Sequence, residues 1–247
     1  MFFDVHAHLT HEHFRKDLDK VIARAKDIII HCAGSGLHDN ELVLDLAEKH
    51  SNVKASLGLY PWDAVEVTEG EVDLCLDMIK KRASKMICIG EVGLDHHWGR
   101  AEEDWETQEW VFEKALMLAE SVNKPVLVHT RRAEREVLGL LTPHDVRAVI
   151  HSYTGPQRLV KGFLDIGCYF SIPSIVVRSS SFQSLVKKVP VNRLLTETDA
   201  PFMAPEPGKR SEPVDVKEGL KKIAELKGLG FKEAEKKLAE NYESLFL

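Results

Sequence analysis

Eight short apolar runs, rich in β-branched and aromatic residues, alternate along this chain with segments whose apolar residues recur at helical spacing. Parallel strands need long crossover connections, so this alternation predicts βαβ units and a parallel sheet. Eight such units in 247 residues fit an α/β fold, a single (β/α)8 TIM barrel spanning residues 1–247. An open doubly wound sheet is the competing architecture, but no G-x-G-x-x-G motif follows the first run. The predicted strands cover residues 2–7, 27–34, 53–60, 86–92, 125–130, 147–153, 168–172 and 193–198.

Amphipathic periodicity predicts the helices between these runs. In one of them the apolar positions on a single face are Val72, Cys75, Leu76 and Ile79. A long helix is predicted over residues 103–121, and two further amphipathic segments, 214–228 and 232–246, follow the last strand. The one stretch rich in proline and glycine, residues 199–213, comes directly after the eighth strand, where a barrel carries an active-site loop.

Polar residues gather at the carboxyl ends of five predicted strands. They are Asp4, His6 and His8 on the first strand, Glu91 and Asp95 on the fourth, His129 on the fifth, His151 on the sixth and Asp199 after the eighth. A histidine or carboxylate ending an apolar strand carries a desolvation cost unless it is paired or ligated. Because these ends meet at one rim of a barrel, the joint pattern predicts a metal site there. Taken singly, each residue has an ordinary structural explanation, such as a hydrogen-bonded histidine or an Asx turn.

The segment DVHAHLTHEH, residues 4–13, contains four histidines. Because side chains alternate across a strand, we expect Asp4, His6 and His8 on one face, with Asp4 orienting one of the two ligands. His11 and His13 lie beyond the strand, where the chain turns towards a helix, and we expect them to be loop residues outside the site.

Five segments occur in order along the chain: DVHAHL, IGEVGLD, PVLVHTRRA, VIHSYTG, and TETDAPFMAP with KRSEP shortly after it. Together they resemble the signature segments of the TatD-like deoxyribonuclease family, metal-dependent hydrolases within the amidohydrolase barrel superfamily. The likeness covers essentially the whole chain. It implies that one divalent ion is bound by His6, His8 and Asp199, that a second is bound by His129 and His151, and that Glu91 bridges the two.

The chemistry that this resemblance implies depends on two divalent ions, Mg²⁺, Mn²⁺ or Zn²⁺, which hold a phosphodiester oxygen and lower the pKa of a bound water. Asp199 and Glu91 are the candidate catalytic residues, with Asp199 as the general base. Arg131 and Arg210 are candidate phosphate contacts, because a planar guanidinium matches two phosphate oxygens. Surface salt bridges are the alternative for both arginines.

Aromatic residues follow several strand ends, and either base stacking or loop packing explains them. They are Tyr60, Trp62, Trp98, Tyr153 and Phe202. Tyr153 is counted among the candidate substrate contacts. Compared with the family pattern, Tyr60 replaces a usual histidine, HSYTG replaces H-C-F-S-G, and Ser211 replaces a common asparagine. None of these positions is a proposed ligand, so the differences concern substrate contacts.

The charge and composition of the chain limit the kinds of molecule that it is expected to bind. The net charge of −6 favours a single-stranded or frayed DNA end entering a pocket over a long duplex held on a basic face. The four cysteines form no C-x-x-C pair, which is typical of a reducing compartment, and no stretch approaches the roughly 18 apolar residues of a membrane helix. We therefore expect a cytoplasmic protein with a DNA substrate, no membrane association and no obligate protein partner.

The resemblance implies a deoxyribonuclease, and it is also the sole basis for a 3′-to-5′ exonuclease direction. An aminoacyl-tRNA deacylase or a small-molecule amidohydrolase on the same bimetal site is the alternative. A barrel that binds metal or nucleic acid without turnover is a third hypothesis. The presence of a general base at Asp199 argues against it, because a binding module needs none.

Overall fold

The chain forms a near-closed barrel of eight parallel strands, as predicted from the alternation of strands and helices. The computed structural model describes residues 1–97 and 101–247, and the candidate stacking residue Trp98 lies outside them. The strands follow one another around the barrel in chain order. They are β1 (Phe2–Ala7), β2 (Ile28–Ala33), β3 (Val53–Leu57), β4 (Met86–Asp95), β5 (Val126–Arg131), β6 (Ala148–Ile150), β7 (Tyr169–Pro173) and β8 (Leu194–Glu197).

The barrel closes where β1 meets the segment after β8. The amide of Asp199 donates to the carbonyl of His6 at 2.9 Å, and the amide of His8 donates to the carbonyl of Ala200 at 2.7 Å. A parallel bridge joins Ala7 to Ala200 between these two hydrogen bonds. The two ends of the chain thereby bring the H-x-H pair and Asp199 to the same place on the rim.

Helices cover the outside of the barrel. They are α1 (Leu18–Arg24), α2 (Leu37–Lys49), α3 (Pro61–Val65), α4 (Glu69–Lys81), α5 (Glu102–Val122), α6 (Glu134–Leu141), α7 (Val160–Asp165), α8 (Ser180–Lys188), α9 (Val216–Lys227) and α10 (Phe231–Phe246). Local sequence explains several ends: Thr68 and Glu71 form a capping box at the start of α4, and Asn123 ends α5 in the left-handed conformation. Short 3₁₀ turns complete several of the connections.

The apolar core has two parts. The larger part lies between the strands and the surrounding helices, and the smaller part fills the barrel interior below the polar rim. The end of α10 supplies Tyr242, Leu245 and Phe246 to this inner core, where Tyr242 stacks on Phe3 with ring centroids 3.8 Å apart. The floor of the barrel is therefore built by α10, a role that amphipathic periodicity alone does not reveal.

Among residues 1–97 and 101–247, no helix combines the length and the apolarity that crossing a membrane requires.

Candidate metal centre

Six side chains from five strand ends converge at the carboxyl rim of the barrel. They are His6 and His8 from β1 and its end, Glu91 from β4, His129 from β5, His151 directly after β6 and Asp199 after β8. Their nitrogen and oxygen atoms form three overlapping groups, each compact enough to hold one ion. The structure thus brings together all six residues that the sequence predicted as ligands, whose role in metal binding remains a prediction.

A shift of register turns the two histidines of β1 inward. Phe3 and Val5 belong to the inner core, so Asp4 between them points out of the barrel. The pairing of β1 with β2 slips between Asp4 and Ala7, and this brings His6 and then His8 onto the inner face. The expectation that Asp4 shares a face with His6 and His8 is therefore wrong.

The Asp4 carboxylate forms hydrogen bonds with Thr198 and with the backbone of His6, and not with an imidazole ring. Its carboxylate accepts hydrogen bonds from the amide and hydroxyl of Thr198, at 2.9 and 2.5 Å, and from the amide of His6 at 3.3 Å. It thus fixes the seam between β1 and β8, one residue away from Asp199.

Glu91 reaches the centre by a similar irregularity in β4. The pairing of β4 with β5 slips between Ile89 and Val92, and the Gly90–Glu91 peptide bond is cis. Neighbouring backbone passes so close that a side chain would not fit at two glycines. A Cβ at Gly58 would lie 2.6 Å from the amide nitrogen of Glu91, and a Cβ at Gly93, which has a φ of 141°, would collide with the carbonyl of His129.

The first donor group surrounds the Nε2 atoms of His6 and His8. The Nε2 atoms of His6 and His8 lie 3.0 Å apart, and Asp199 Oδ1 lies 3.3 and 3.5 Å from them. Glu91 Oε2 lies 3.6 Å from each histidine nitrogen. Ligand distances of about 2.0–2.2 Å around a tetrahedral ion give edges of about 3.3–3.6 Å between ligand atoms. Five of the six separations among these four atoms therefore lie near the values expected around one divalent ion, and His6, His8 and Glu91 form one compact group.

The second donor group shares Glu91 through its other oxygen. Glu91 Oε1 lies 2.6 Å from His129 Nδ1 and 3.0 Å from His151 Nε2, and these two nitrogens lie 3.3 Å apart. The two oxygens of one carboxylate thus face two neighbouring sets of imidazoles. Imidazole and carboxylate ligands without thiolate suit Zn²⁺, Mn²⁺ or Fe²⁺.

The electrostatics keep the carboxylates of the centre ionised. Burial by itself raises the pKa of the Glu91 carboxyl, but the charges of His6 and His151 and the hydrogen bond from His129 outweigh it and hold this pKa well below its ordinary value. Burial likewise raises the pKa of Asp199, and hydrogen bonds from His6 and His8 bring it below its ordinary value. A divalent cation that displaced the protons of these histidines would meet anionic oxygens and imidazole nitrogens, which is the donor set that it requires.

Two buried carboxylates outside the donor groups lie beside ligand histidines. Asp95 Oδ2 lies 3.2 Å from His129 Nε2 and accepts a hydrogen bond from the hydroxyl of Tyr60 at 3.1 Å. Glu197 Oε2 lies 3.7 Å from His151 Nδ1. The hydrogen bond with Asp95 fixes the ring orientation and the tautomer of His129, whereas the separation at His151 is too long for a hydrogen bond.

The sequence analysis missed Glu197, although a signal for it was present. The residue is an isolated acid in an apolar strand, two positions before Asp199 and hence on the same face. Its Oε1 accepts hydrogen bonds from the amide and hydroxyl of Ser152, at 2.9 and 2.6 Å, and its Oε2 accepts one from Ser171.

The donor groups open into a cavity of about 720 Å³. Arg131 lines it, as do Tyr60, His11 and the rim residue Phe202. His11, expected to lie away from the site, forms part of the cavity wall, whereas His13 is exposed. The cavity thus offers a cationic side chain and aromatic surface next to the metal-binding atoms.

The structure does not bring Arg210 or Tyr153 into this cavity. The guanidinium of Arg210 pairs with Asp17 at 2.8 Å and with Glu212 at 2.7 Å, and it also donates to the carbonyl of His13. The Tyr153 ring is buried, and its hydroxyl donates to the carbonyl of Pro156 at 2.8 Å. Both side chains therefore support loops outside the lining of this cavity, and their contact with substrate stays a prediction.

Comparison with known proteins places the chain in a family. A family model described as TatD related DNase matches residues 3–247. The uncharacterized metal-dependent hydrolase YabD of Bacillus subtilis is 35% identical over 260 residues, which cover 100% of this chain and 99% of that protein. The 3'-5' ssDNA/RNA exonuclease TatD of Enterobacter lignolyticus is 32% identical, over 92% of this chain and 91% of its own length.

Among solved structures, the TatD homologue YJJV of Escherichia coli superposes with a TM-score of 0.90 at 26% identity, covering 99% of this chain and 97% of that one. A match of this extent in sequence and fold leaves one assignment: the chain belongs to the TatD-related DNase family of metal-dependent hydrolases.

Proposed function

We propose that this protein is a metal-dependent deoxyribonuclease that removes nucleotides from the 3′ end of single-stranded or frayed DNA. The observation that carries the proposal is the pair of donor groups sharing Glu91, open to a cavity that also contains Arg131. Two adjacent cation sites beside a guanidinium form a binding surface for a phosphodiester.

In this proposal His6, His8 and Asp199 would hold one divalent ion, His129 and His151 would hold a second, and Glu91 would contribute to both. When bound, such ions polarise a phosphate oxygen and make water more acidic. Asp199 is the general base: its carboxylate is held ionised by His6 and His8 and accepts the proton that the attacking water loses. Arg131, two residues after His129 on the same face of β5, pairs with a phosphate oxygen.

Shape and charge favour a chain end over continuous duplex. The donor atoms lie at the bottom of a cavity, so a phosphate reaches them most easily from a free or frayed terminus. The chain's net charge of −6 gives no overall attraction for the long polyanion of a duplex. The Enterobacter relative carries the name of a 3'-5' exonuclease, and the human relative TATDN3 that of a deoxyribonuclease; both are about one-third identical to this chain.

The direct test uses DNA labelled at its 5′ end. Purified protein is incubated with the labelled single strand in Mg²⁺, Mn²⁺ or Zn²⁺ and in chelator, beside Asp199→Asn and the control Asp165→Asn, which changes an exposed carboxylate on α7. A ladder that shortens from the 3′ end, and that is lost in chelator and in Asp199→Asn but not in Asp165→Asn, supports the proposal.

Intact DNA in every metal would overturn it. The same preparations would then be assayed on aminoacyl-tRNA and on cyclic amides, which separates another hydrolase on this site from a barrel that binds without turnover.

A further inference from the structure

Phe202 differs from every other aromatic side chain that the structure describes. Its side chain is 47% exposed, although it lies on the cavity rim beside the donor groups. The other described aromatic residues that follow strand ends are engaged. Trp62 and Tyr153 are buried, and Tyr60 is hydrogen-bonded to Asp95. Exposure of a large apolar ring next to a binding cavity indicates a contact surface.

The backbone around Phe202 is held on both sides. The amide of Phe202 donates to the carbonyl of Asp199 at 2.8 Å, and the carbonyl of the preceding Pro201 accepts from the amide of Ser211 at 3.0 Å. On the other side, the sulfur of Met203 lies 3.5 Å from the hydroxyl oxygen of Ser152. The exposed ring therefore keeps a fixed position three residues from the proposed general base.

Two histidine rings support the phenyl ring. His11 meets it edge-on with centroids 5.3 Å apart at 79°, and His8 meets it at 6.3 Å and 65°. His11 is itself fixed, because its Nδ1 accepts a hydrogen bond from the amide of His13 at 3.2 Å. The contact with His8 links the phenyl ring directly to a proposed metal ligand, so a group lying on Phe202 is adjacent to the reacting phosphate.

We propose that Phe202, supported by His11, is a stacking surface for the unpaired nucleobase next to the phosphate that is cleaved. This inference rests on the proposed nuclease function and adds a base-binding subsite to it. Aromatic rings bind unpaired bases of any sequence, because every base has a flat π-face. A base within a duplex is already covered by its neighbours, so the surface selects single-stranded or frayed ends.

The test removes the ring and the base separately. Cleavage is measured for wild type, Phe202→Leu, Phe202→Trp and the control Leu74→Ala, which shortens an exposed apolar residue on α4. The substrates are a single-stranded oligonucleotide and the same strand with abasic sites at its last three positions. We expect Phe202→Leu to lower kcat/KM on the intact strand about tenfold, which is within the range for loss of one stacked base. Phe202→Trp keeps a flat ring and is expected to retain more activity than Phe202→Leu, and Leu74→Ala is expected to match wild type.

On the abasic strand, wild type should be slowed by a similar factor and Phe202→Leu should cause no further loss. An equal effect of Phe202→Leu on both strands would overturn the proposal, since the residue would then act only through loop structure. Wild-type activity from Phe202→Leu on the intact strand would also overturn it, because leucine has apolar bulk but no flat face.

A binding measurement separates this inference from the nuclease proposal. A strand ending in 2-aminopurine is mixed with Asp199→Asn, with and without Phe202→Leu. We expect quenching of the 2-aminopurine fluorescence that is lost in the double variant. Quenching without any cleavage by wild type would contradict the nuclease proposal alone, and equal quenching by both variants would contradict the stacking surface alone.

Discussion

The Nε2 atom of His129 lies 3.2 Å from Oδ2 of Asp95, on the side of the imidazole that faces away from Glu91. With its Nε2 proton directed to Asp95, His129 would present the lone pair of Nδ1 to an ion held together with Glu91 and His151. Asp95 is fixed in turn, because its Oδ1 accepts from the amide of His97 at 2.8 Å. Asp95 thereby orients the His129 imidazole for binding a cation.

We expect Asp95→Asn to weaken binding of one ion about 10- to 100-fold, the usual cost of losing a carboxylate behind a ligand histidine. Titration of the protein with Mn²⁺ or Zn²⁺ in a calorimeter measures it. Asp39→Asn is the control, because Asp39 lines the same cavity but accepts its hydrogen bond from the amide of Ser35. Unchanged affinity for every ion in Asp95→Asn would contradict the role assigned to Asp95.

Glu197→Gln is expected to destabilise the fold. Glu197 is fully buried and accepts hydrogen bonds from the amide and hydroxyl of Ser152 and from the hydroxyl of Ser171. A glutamine amino group would face one of these donors, which costs about 1–3 kcal/mol of unfolding free energy. Urea denaturation gives the difference. Glu206→Gln, in an exposed pair with Lys209, should change it by about 0–1 kcal/mol, and an equal loss in both variants would contradict the prediction.

The pH dependence of stability should contain a contribution from His31. Burial, with smaller contributions from the positive charges of His6 and Lys54, lowers the pKa of His31 to about 3. Between this value and the unfolded pKa of about 6.5, only the unfolded chain binds the proton, so stability falls as the pH falls through that window. The slope from one such group approaches about 1.4 kcal/mol per pH unit.

His31→Gln removes this contribution, so its unfolding free energy should fall less steeply between pH 6 and pH 4 than that of wild type. Urea denaturation at several pH values measures the two curves, with His38→Gln, an exposed residue of α2, as the control. Parallel curves for wild type and His31→Gln would show that His31 does not titrate in this way.

Truncation of a side chain in the barrel floor should lower the free energy of unfolding. Tyr242 is 2% exposed, stacks on Phe3 and places its hydroxyl 2.9 Å from His31 Nε2. We expect Tyr242→Ala to lower the unfolding free energy by about 3–5 kcal/mol, as for other large aromatic truncations. Leu74→Ala on the exposed face of α4 should stay within about 0.5 kcal/mol of wild type. A loss below about 1 kcal/mol in Tyr242→Ala would mean that α10 does not support the barrel.

The two candidate phosphate arginines should behave differently. Arg131 lines the cavity, so Arg131→Ala should lower kcat/KM on DNA about tenfold or more, the loss expected for a charge-assisted hydrogen bond. Arg210 is engaged with Asp17 and Glu212, and Arg210→Ala should stay within about fivefold of wild type. Steady-state kinetics on one oligonucleotide compares them, and the reverse order would restore Arg210 as the phosphate contact.

The barrel was predictable because each strand is a short apolar run and each helix shows its own period. The first strand was predicted at residues 2–7 and is observed at Phe2–Ala7. The sixth was predicted at 147–153 but ends at Ile150, because the chain turns at His151 and Ser152, where φ of Ser152 is 43°. Polar residues at such turns look like strand residues in sequence, since their neighbours are apolar.

The six residues at the candidate metal centre were predictable as a set. The local backbone geometry that directs their side chains towards one another was not. Strict alternation places Asp4 on the face of His6, whereas a slip of register in β1 separates them. Alternation also cannot show that Glu91 lies at a similar slip in β4. The positions of Arg210 and Tyr153 depend on loop packing, which leaves no period in the sequence. Strand ends were informative because parallel topology brings them together; loop side chains had no such constraint.

The closure of β1 against the segment after β8 has a consequence for how the protein is made. Asp4 and Thr198, which bond across this seam, are 194 positions apart in the chain. At about 5–20 residues per second, a ribosome completes Asp199 roughly 10–40 seconds after His6 and His8. Throughout that interval the nascent chain carries the histidine pair without Asp199 and without the floor that α10 supplies. Synthesis itself therefore delays the assembly of the candidate metal centre until the eighth strand has emerged.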